Sequence, residues 1–208
     1  MPSQSLTDFE DRLGEVQQLL DAHSALTRLR RAEAATANGV PDLQTIGAFV
    51  QNLVTPPGRG RPAEVHALNS AAIALLSAHP QGFVVDLFKE VADKTLRGKV
   101  KDVNALIDTA NLRGNPNEQN IVRLFASLGY PNILDGISWQ RMSNAQLKAK
   151  LRGLNELRNR IFHGSSGTVT KVQVANHLNV FRNFAARLDA KLRAQVHAVT
   201  GAYPWPAA

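Results

Sequence analysis

The sequence of 208 residues contains no cysteine. Disulfide frameworks, thiolate nucleophiles and cysteine-ligated zinc or iron–sulfur sites are therefore excluded, so any chemistry must use other side chains. No uninterrupted apolar run approaches the length of a membrane span, and the polar, acidic start MPSQSLTDFE lacks the basic and then apolar pattern of a secretory signal. From these absences we expect a protein without a membrane partner that stays in the cytoplasm.

The sequence also lacks the alternating apolar pattern of β-strands, and it contains no internal repeat. Apolar residues instead recur at helical spacing through most of the chain. With 44% hydrophobic and 20% charged residues, the chain can bury a core of ordinary size. The prediction is an all-α protein, an antiparallel helical bundle with short connections.

Capping patterns indicate where several helices begin, because a Ser, Thr, Asp or Asn side chain can bind the free backbone N–H groups of the first turn. The predicted starts are Thr7 with Glu10, Asn115 before Pro116, Ser143 with Gln146, and Thr170 with Gln173. The segment from residue 63 to about 96 also has a helical pattern, but His79-Pro80-Gln81-Gly82 interrupts it. Since proline removes a backbone donor, this segment is predicted to form two helices or one kinked helix.

The formal charge of +7 and a pI of about 10.1 favour an anionic partner, because a basic surface attracts phosphates over a long range. The alternative is that a modest basic excess only keeps the protein soluble.

One stretch, LNELRNRIFHG at residues 154–164, places Arg158 and His163 at the end of a predicted helix. Arg158 continues an apolar stripe, four residues after Leu154 and three before Ile161. A guanidinium on such a face needs a partner, which is an internal carboxylate, a second subunit or a bound phosphate.

His163 falls on another face of the same helix, together with Arg152, Glu156 and Asn159. Asn159 lies one turn before His163 and can orient the imidazole or bind the same ligand. Arg158 and His163 are about 140° apart around an ideal helix. We therefore expect either a distorted last turn or a site completed by a second copy of this helix.

Another pair with the same spacing, Arg61 and His66, lies at a Pro/Gly-rich loop over residues 55–62. It has no polar residue one turn before the histidine, and we interpret it as a coincidence. His23 and His177 lie on or beside apolar faces and are interpreted as core or interface histidines.

The segment Arg158-Asn159-Arg160-Ile161-Phe162-His163-Gly164 resembles the R-x4-6-H signature of HEPN domains. NPNEQNIVRLFASLGYPNI, Trp139 and the long closing helix extend the resemblance to the RiboL-PSP branch of that superfamily, over roughly residues 62–200. The resemblance implies a four- to five-helix bundle that dimerises with its motifs facing each other. It leaves residues 1–61 as an N-terminal helical extension packed on the core and residues 201–208 as a tail.

The activity that the resemblance implies is RNA cleavage without a metal or another cofactor. Arg158 would then stabilise the transition state, Asn159 would support it, and His163 would act as the acid–base group. Attack of a 2′-hydroxyl on the neighbouring phosphorus needs only these kinds of groups and yields a 2′,3′-cyclic phosphate and a 5′-hydroxyl. Arg152 and Arg160 are candidate contacts to the RNA backbone, although arginines on exposed helix faces are ordinarily only solvated.

Three functions remain open from the sequence. The first is a homodimeric HEPN ribonuclease that acts as a toxin or defence effector, with an antitoxin or regulatory protein as a possible partner. The second is a HEPN-like module that binds RNA or nucleotide, or only dimerises, without turnover. The third is a helical interaction protein in which Arg158 pairs with an internal acid and His163 binds helix-end carbonyls.

Overall fold

The computed structural model describes residues 1–36, 50, 53–54, 63–96, 105, 117–163 and 168–206, with the backbone alone for 31–36. Five α-helices make up most of this part: α1 (Gln4–Thr36), α2 (His66–Leu96), α3 (Glu118–Ala126), α4 (Asn144–Phe162) and α5 (Lys171–Thr200). The described residues contain no strand, only isolated bridge residues such as the pair Trp139 and Met142. The all-α prediction is confirmed.

Helix α2 is the centre of the bundle and contacts each of the other four helices. Its fully buried aromatic rings connect neighbouring elements: Phe83 lies 5.0 Å from Phe9 of α1, and Phe88 lies 5.9 Å from Phe125 of α3, between ring centroids. Aromatic pairs at these distances add to the stabilisation from area burial alone. The core is thus continuous from the N-terminal helix to the helices that carry the candidate motif.

Of the two arrangements predicted for this segment, two separate helices is wrong, because α2 runs continuously from His66 to Leu96 with Pro80 inside it. Proline cannot donate a backbone hydrogen bond, which ordinarily breaks a helix. Here Pro80 is itself buried in the core face of a helix that is packed on several sides. Tertiary packing therefore outweighs the local preference.

Helix α2 is also the only helix of the described residues that is long and apolar enough to cross a membrane by composition, because an 18-residue window within it has a mean hydropathy of 1.3. Half of that window is buried inside the protein. Core helices of bundles meet the same criterion, and the buried face of α2 supplies the centre of this one.

Helix α1 begins one turn earlier than the capping pattern at Thr7 and Glu10 predicts, so that prediction is wrong. Ser3 is the cap, because its Oγ accepts a hydrogen bond from Leu6 N at 3.0 Å. Ser3 N donates to Asp189 Oδ1 at 3.3 Å, and Ser5 N donates to Glu90 Oε2 at 3.1 Å. Carboxylates from two other helices thus bind the free N–H groups of the first turn, which a local pattern does not reveal.

The start of α3 is also shifted. Asn117, and not Asn115, is the N-cap, and its side chain accepts from Asn120 N at 2.8 Å. The two capping boxes at Ser143 and Thr170 are confirmed. Trp139 anchors the irregular segment between α3 and α4 by packing on the core.

A buried polar cluster connects α1, α2 and the segment before α5. His23 Nε2 lies 2.9 Å from Glu64 Oε2, and Asn69 Nδ2 donates to the same carboxylate oxygen at 2.7 Å and to Val169 O at 2.8 Å. His23 is therefore a core histidine with a carboxylate partner, as predicted.

His177 is half-buried and stacks on Phe181, but its Nδ1 has no hydrogen-bond partner in the described part of the chain. The predicted loop at 55–62, which contains Arg61, and Gly164 after the motif both lie outside the described residues.

Candidate functional site

The candidate motif lies at the C-terminal end of α4, whose other end is fixed by a reciprocal cap. Ser143 Oγ accepts from Gln146 N at 3.3 Å, and Gln146 Oε1 accepts from Ser143 N at 2.8 Å. The buried side chains that follow at helical spacing are Leu147, Leu151 and Leu154. These residues hold the first three turns of the helix to the bundle, so the motif extends from a rigid base.

Arg158 lies at the edge of the bundle. The apolar stripe of α4 is buried up to Leu154 but is only half-buried at Arg158 and Ile161. The guanidinium carbon of Arg158 is 5.1 Å from the centre of the Phe162 ring, and that ring is 62% exposed. The guanidinium of the half-buried Arg158 therefore lies beside an exposed aromatic ring.

His163 follows the last residue of α4 as its C-cap, and its side chain is exposed. Its backbone N donates to Asn159 O at 2.9 Å, which continues the helical hydrogen-bonding pattern by one step. Asn159 is also exposed. Residues four apart are neighbours on a helix surface, so the amide of Asn159 and the imidazole of His163 share one solvent-facing surface.

The last turn of α4 is not distorted before His163, since the helix stays α-helical through Phe162. Of the two arrangements that the sequence allows, the first is therefore wrong. Residues five positions apart on a regular helix point about 140° away from each other. A single copy of α4 presents Arg158 and His163 to different directions.

The two flanking arginines differ in their surroundings. Arg152 is exposed but forms an ion pair with Glu118 of α3, with 2.6 Å between Nη1 and Oε1. Arg160 is exposed and has no partner among the described residues. Arg152 lies on the same face of α4 as Asn159 and His163, whereas Arg160 lies beyond that face by its helical position.

Charge is unevenly distributed over the bundle. Helices α4 and α5 each contain five basic residues and one acidic residue, and the acidic residue of α5, Asp189, is buried. Residues 4–21 of α1 have the opposite balance, with five acidic residues and one basic residue. The excess positive charge of the protein is thus gathered on the helices that carry and follow the motif, where it attracts anions.

Sequence reasoning missed two residues of this site. Phe162 could have been found, because an aromatic residue four positions after an arginine lies next to it on a helix. Glu118 could not, because it is 34 positions from Arg152 and approaches it only through the packing of α3 on α4. Within the residues that the structure describes, no three His, Asp or Glu side chains are grouped so that they could hold a metal ion.

The sequence profile of one protein family, RiboL-PSP-HEPN, matches residues 42–194, a range that contains the whole motif from Arg158 to His163. Comparisons with curated proteins and with solved structures gave no match. The match confirms the resemblance drawn from the motif and indicates a function related to RNA or to nuclease activity. The matched range covers well over half of the chain, so this all-α protein belongs to the RiboL-PSP-HEPN family.

Proposed function

We propose that the protein is a metal-independent endoribonuclease that cleaves RNA through attack of the 2′-hydroxyl. The observation that carries this proposal is the end of α4, where the half-buried Arg158 and the exposed Asn159 and His163 meet solvent on a basic helix. The family membership of the chain supports the same substrate class.

In this mechanism His163 takes the proton of the 2′-hydroxyl as O2′ attacks the adjacent phosphorus. The bond between phosphorus and O5′ breaks, and O5′ takes a proton from water while His163 returns its own proton to solvent. The products carry a 2′,3′-cyclic phosphate and a 5′-hydroxyl. Arg158 donates to the non-bridging phosphate oxygens, where negative charge grows in the transition state. Asn159 orients the imidazole or the phosphate, because its amide lies one turn before His163.

The active form is a homodimer in which α4 helices of two chains face each other. The 140° between Arg158 and His163 on a regular helix supports this part of the proposal, because a second chain can supply the group that the first directs elsewhere. The exposed ring of Phe162 supports it as well, since a large apolar side chain at the motif gains stability when a partner covers it.

The experiment is a cleavage assay on single-stranded RNA in EDTA, with analysis of the product ends. We expect cleavage by the wild-type protein, a 2′,3′-cyclic phosphate at the new end, and no cleavage of DNA. Arg158→Ala and His163→Ala should each lower the rate on the order of 100-fold or more. Matched controls are Arg182→Ala and His197→Ala on α5, which should retain the rate.

Cleavage that survives both Arg158→Ala and His163→Ala would contradict the assignment of the site. Binding of RNA without cleavage would instead identify a non-catalytic HEPN module that binds RNA or nucleotide. A strictly monomeric protein that neither cleaves nor binds RNA would instead support the third function, a helical interaction protein.

In the cell we propose a cytoplasmic toxin or defence effector that an antitoxin or another regulatory protein restrains. Expression of the wild-type chain should then inhibit growth, and His163→Ala should abolish the inhibition. If the protein is well expressed and cleaves RNA but growth is unaffected, the toxin role is contradicted while the ribonuclease activity stands.

A further inference from the structure

Arg152 is paired with an acidic residue of a neighbouring helix, although it lies on the motif's outward face of α4. Its Nη1 donates to Glu118 Oε1 at 2.6 Å. The side chain of Arg152 is 56% exposed, whereas that of Glu118 is 19% exposed. The guanidinium therefore remains open to solvent on one side while the carboxylate lies against the protein.

The position of Glu118 is fixed by the fold. It is the first residue of α3, next to the N-cap Asn117, where the free N–H groups of the helix favour negative charge. Its second oxygen, Oε2, is buried and has no hydrogen-bond partner in the described part of the chain. The carboxylate thus offers Arg152 one oxygen, and it cannot follow the arginine far from the start of α3.

Arg152, Asn159 and His163 follow one line on the surface of α4, because they are separated by seven and then four residues. Along the helix axis, Arg152 is about 10 Å from Asn159 and about 16 Å from His163. Consider an RNA strand that lies along this face with its scissile phosphate at the motif. A neighbouring phosphate of the same strand then lies close to Arg152.

We propose that Glu118 is an intramolecular competitor for this strand: in the free protein it occupies the place of a flanking RNA phosphate on Arg152, and RNA displaces it. The proposal rests on the proposed function and adds a regulation of the same site. Carboxylate and phosphate oxygens accept hydrogen bonds from a guanidinium in the same geometry, so one can replace the other.

The exchange is feasible because the two partners differ in strength. An ion pair with an exposed arginine contributes little, since water screens it. A phosphate of a nucleic acid strand also releases condensed counterions when a cation neutralises it. RNA therefore displaces Glu118 at low salt, but breaking the ion pair costs free energy, so Glu118 weakens the binding of RNA.

The chain contains a matched ion pair for comparison. Arg182 of α5 donates from Nε to Glu10 Oε2 of α1 at 2.9 Å, and both side chains are similarly exposed, at 44% and 39%. Neither residue belongs to α3 or α4. Glu118→Gln and Glu10→Gln thus remove the same charge from the same kind of pair, but only the first releases an arginine on the face of the motif.

The test measures binding of a single-stranded 2′-O-methyl oligoribonucleotide, which cannot be cleaved, by fluorescence anisotropy at several salt concentrations. We expect Glu118→Gln to tighten binding at low salt by about two- to five-fold more than Glu10→Gln does. The slope of log Kd against log salt should stay close to that of wild type, because in both proteins the bound strand has the same phosphate on Arg152. Adding Arg152→Ala to Glu118→Gln should remove the gain.

Equal effects of Glu118→Gln and Glu10→Gln on binding would overturn the competitor role. Tighter binding that persists when Arg152→Ala is added to Glu118→Gln would overturn it as well. Either result would leave the proposed function intact. No binding of the oligonucleotide by any of these proteins would overturn the competitor role and the proposed RNA substrate together. Thermal unfolding of each variant confirms that the comparison is made between folded proteins.

Discussion

The guanidinium of Arg158 lies over the ring of Phe162, with 5.1 Å between the guanidinium carbon and the ring centre. Both residues lie on the last two turns of α4, and the ring remains largely exposed. A cation above an aromatic face at an exposed site is stabilised by about 0.5–1 kcal/mol. Phe162 therefore restricts the positions of the Arg158 head without shielding it from a ligand.

Phe162→Leu should lower RNA cleavage several-fold while changing the free energy of unfolding by less than about 1 kcal/mol, because the ring orients Arg158 but is not part of the core. Cleavage rates and urea unfolding curves measure the two effects. Val172→Ala, at an equally exposed apolar residue of α5, is the control and should alter neither quantity. A large loss of stability in Phe162→Leu would show that the ring has a structural role instead.

Mixed dimers should reveal whether the site is shared between chains. Arg158→Ala and His163→Ala are each inactive in the proposed mechanism, but a dimer of one with the other contains one site with an intact arginine and an intact histidine. If subunits mix randomly, an equimolar mixture should recover about a quarter of the wild-type rate, since half of the dimers are mixed and half of their sites are complete. Continued inactivity after verified exchange of subunits would place both residues of each site on one chain.

Asn69→Ala should destabilise the protein by about 2–4 kcal/mol, because it removes the amide that donates to Val169 O and to the Glu64 carboxylate in a buried place. Urea denaturation gives the difference. Asn183→Ala is the matched control, since Asn183 is exposed and donates only to Asn179 O of its own helix, and it should change stability by no more than about 0.5 kcal/mol. Similar losses in the two variants would contradict a stabilising role of the buried cluster.

Stability should depend on pH through Asp189. Burial raises the pKa of this carboxyl above its usual value of 3.8, hydrogen bonds from Ser3 oppose the shift, and the charge of Glu90 adds to it. Because the pKa is higher in the folded state, the protonated carboxyl contributes stability that is complete below pH 3.8 and is lost as the pH rises through the folded-state pKa.

Asp189→Asn should therefore be more stable than wild type at pH 7, since the amide oxygen can still accept from Ser3 N and carries no charge. The difference should shrink as the pH is lowered toward 3.8. Urea unfolding over this pH range measures it. Asp86→Asn, which removes an exposed ion pair with Arg12, should instead lower stability by no more than about 1 kcal/mol. Identical pH profiles of Asp189→Asn and wild type would contradict this account.

Several features of the fold follow from the sequence alone because they depend on residues close together in the chain. The caps at Ser143 and Thr170 involve a side chain and a backbone group three residues apart, so the pattern of letters is sufficient to predict them. The apolar stripe of α4 is likewise a property of one helix, and it identifies Arg158 as a residue on the packed side. The motif itself is a local pattern, which is why it pointed to the HEPN family.

Other features were decided only by the tertiary structure. Helix α1 starts at Gln4, and not near Thr7, because carboxylates of α2 and α5 bind its first turn. Pro80 remains inside a continuous helix because its surroundings are packed on several sides. The ion pair between Arg152 and Glu118, and the half-burial of Arg158, depend on how α4 lies against its neighbours. Local patterns fix backbone hydrogen bonds over three or four residues, whereas burial and ion pairs depend on which helices pack together, and that is set by the free energy of the whole core.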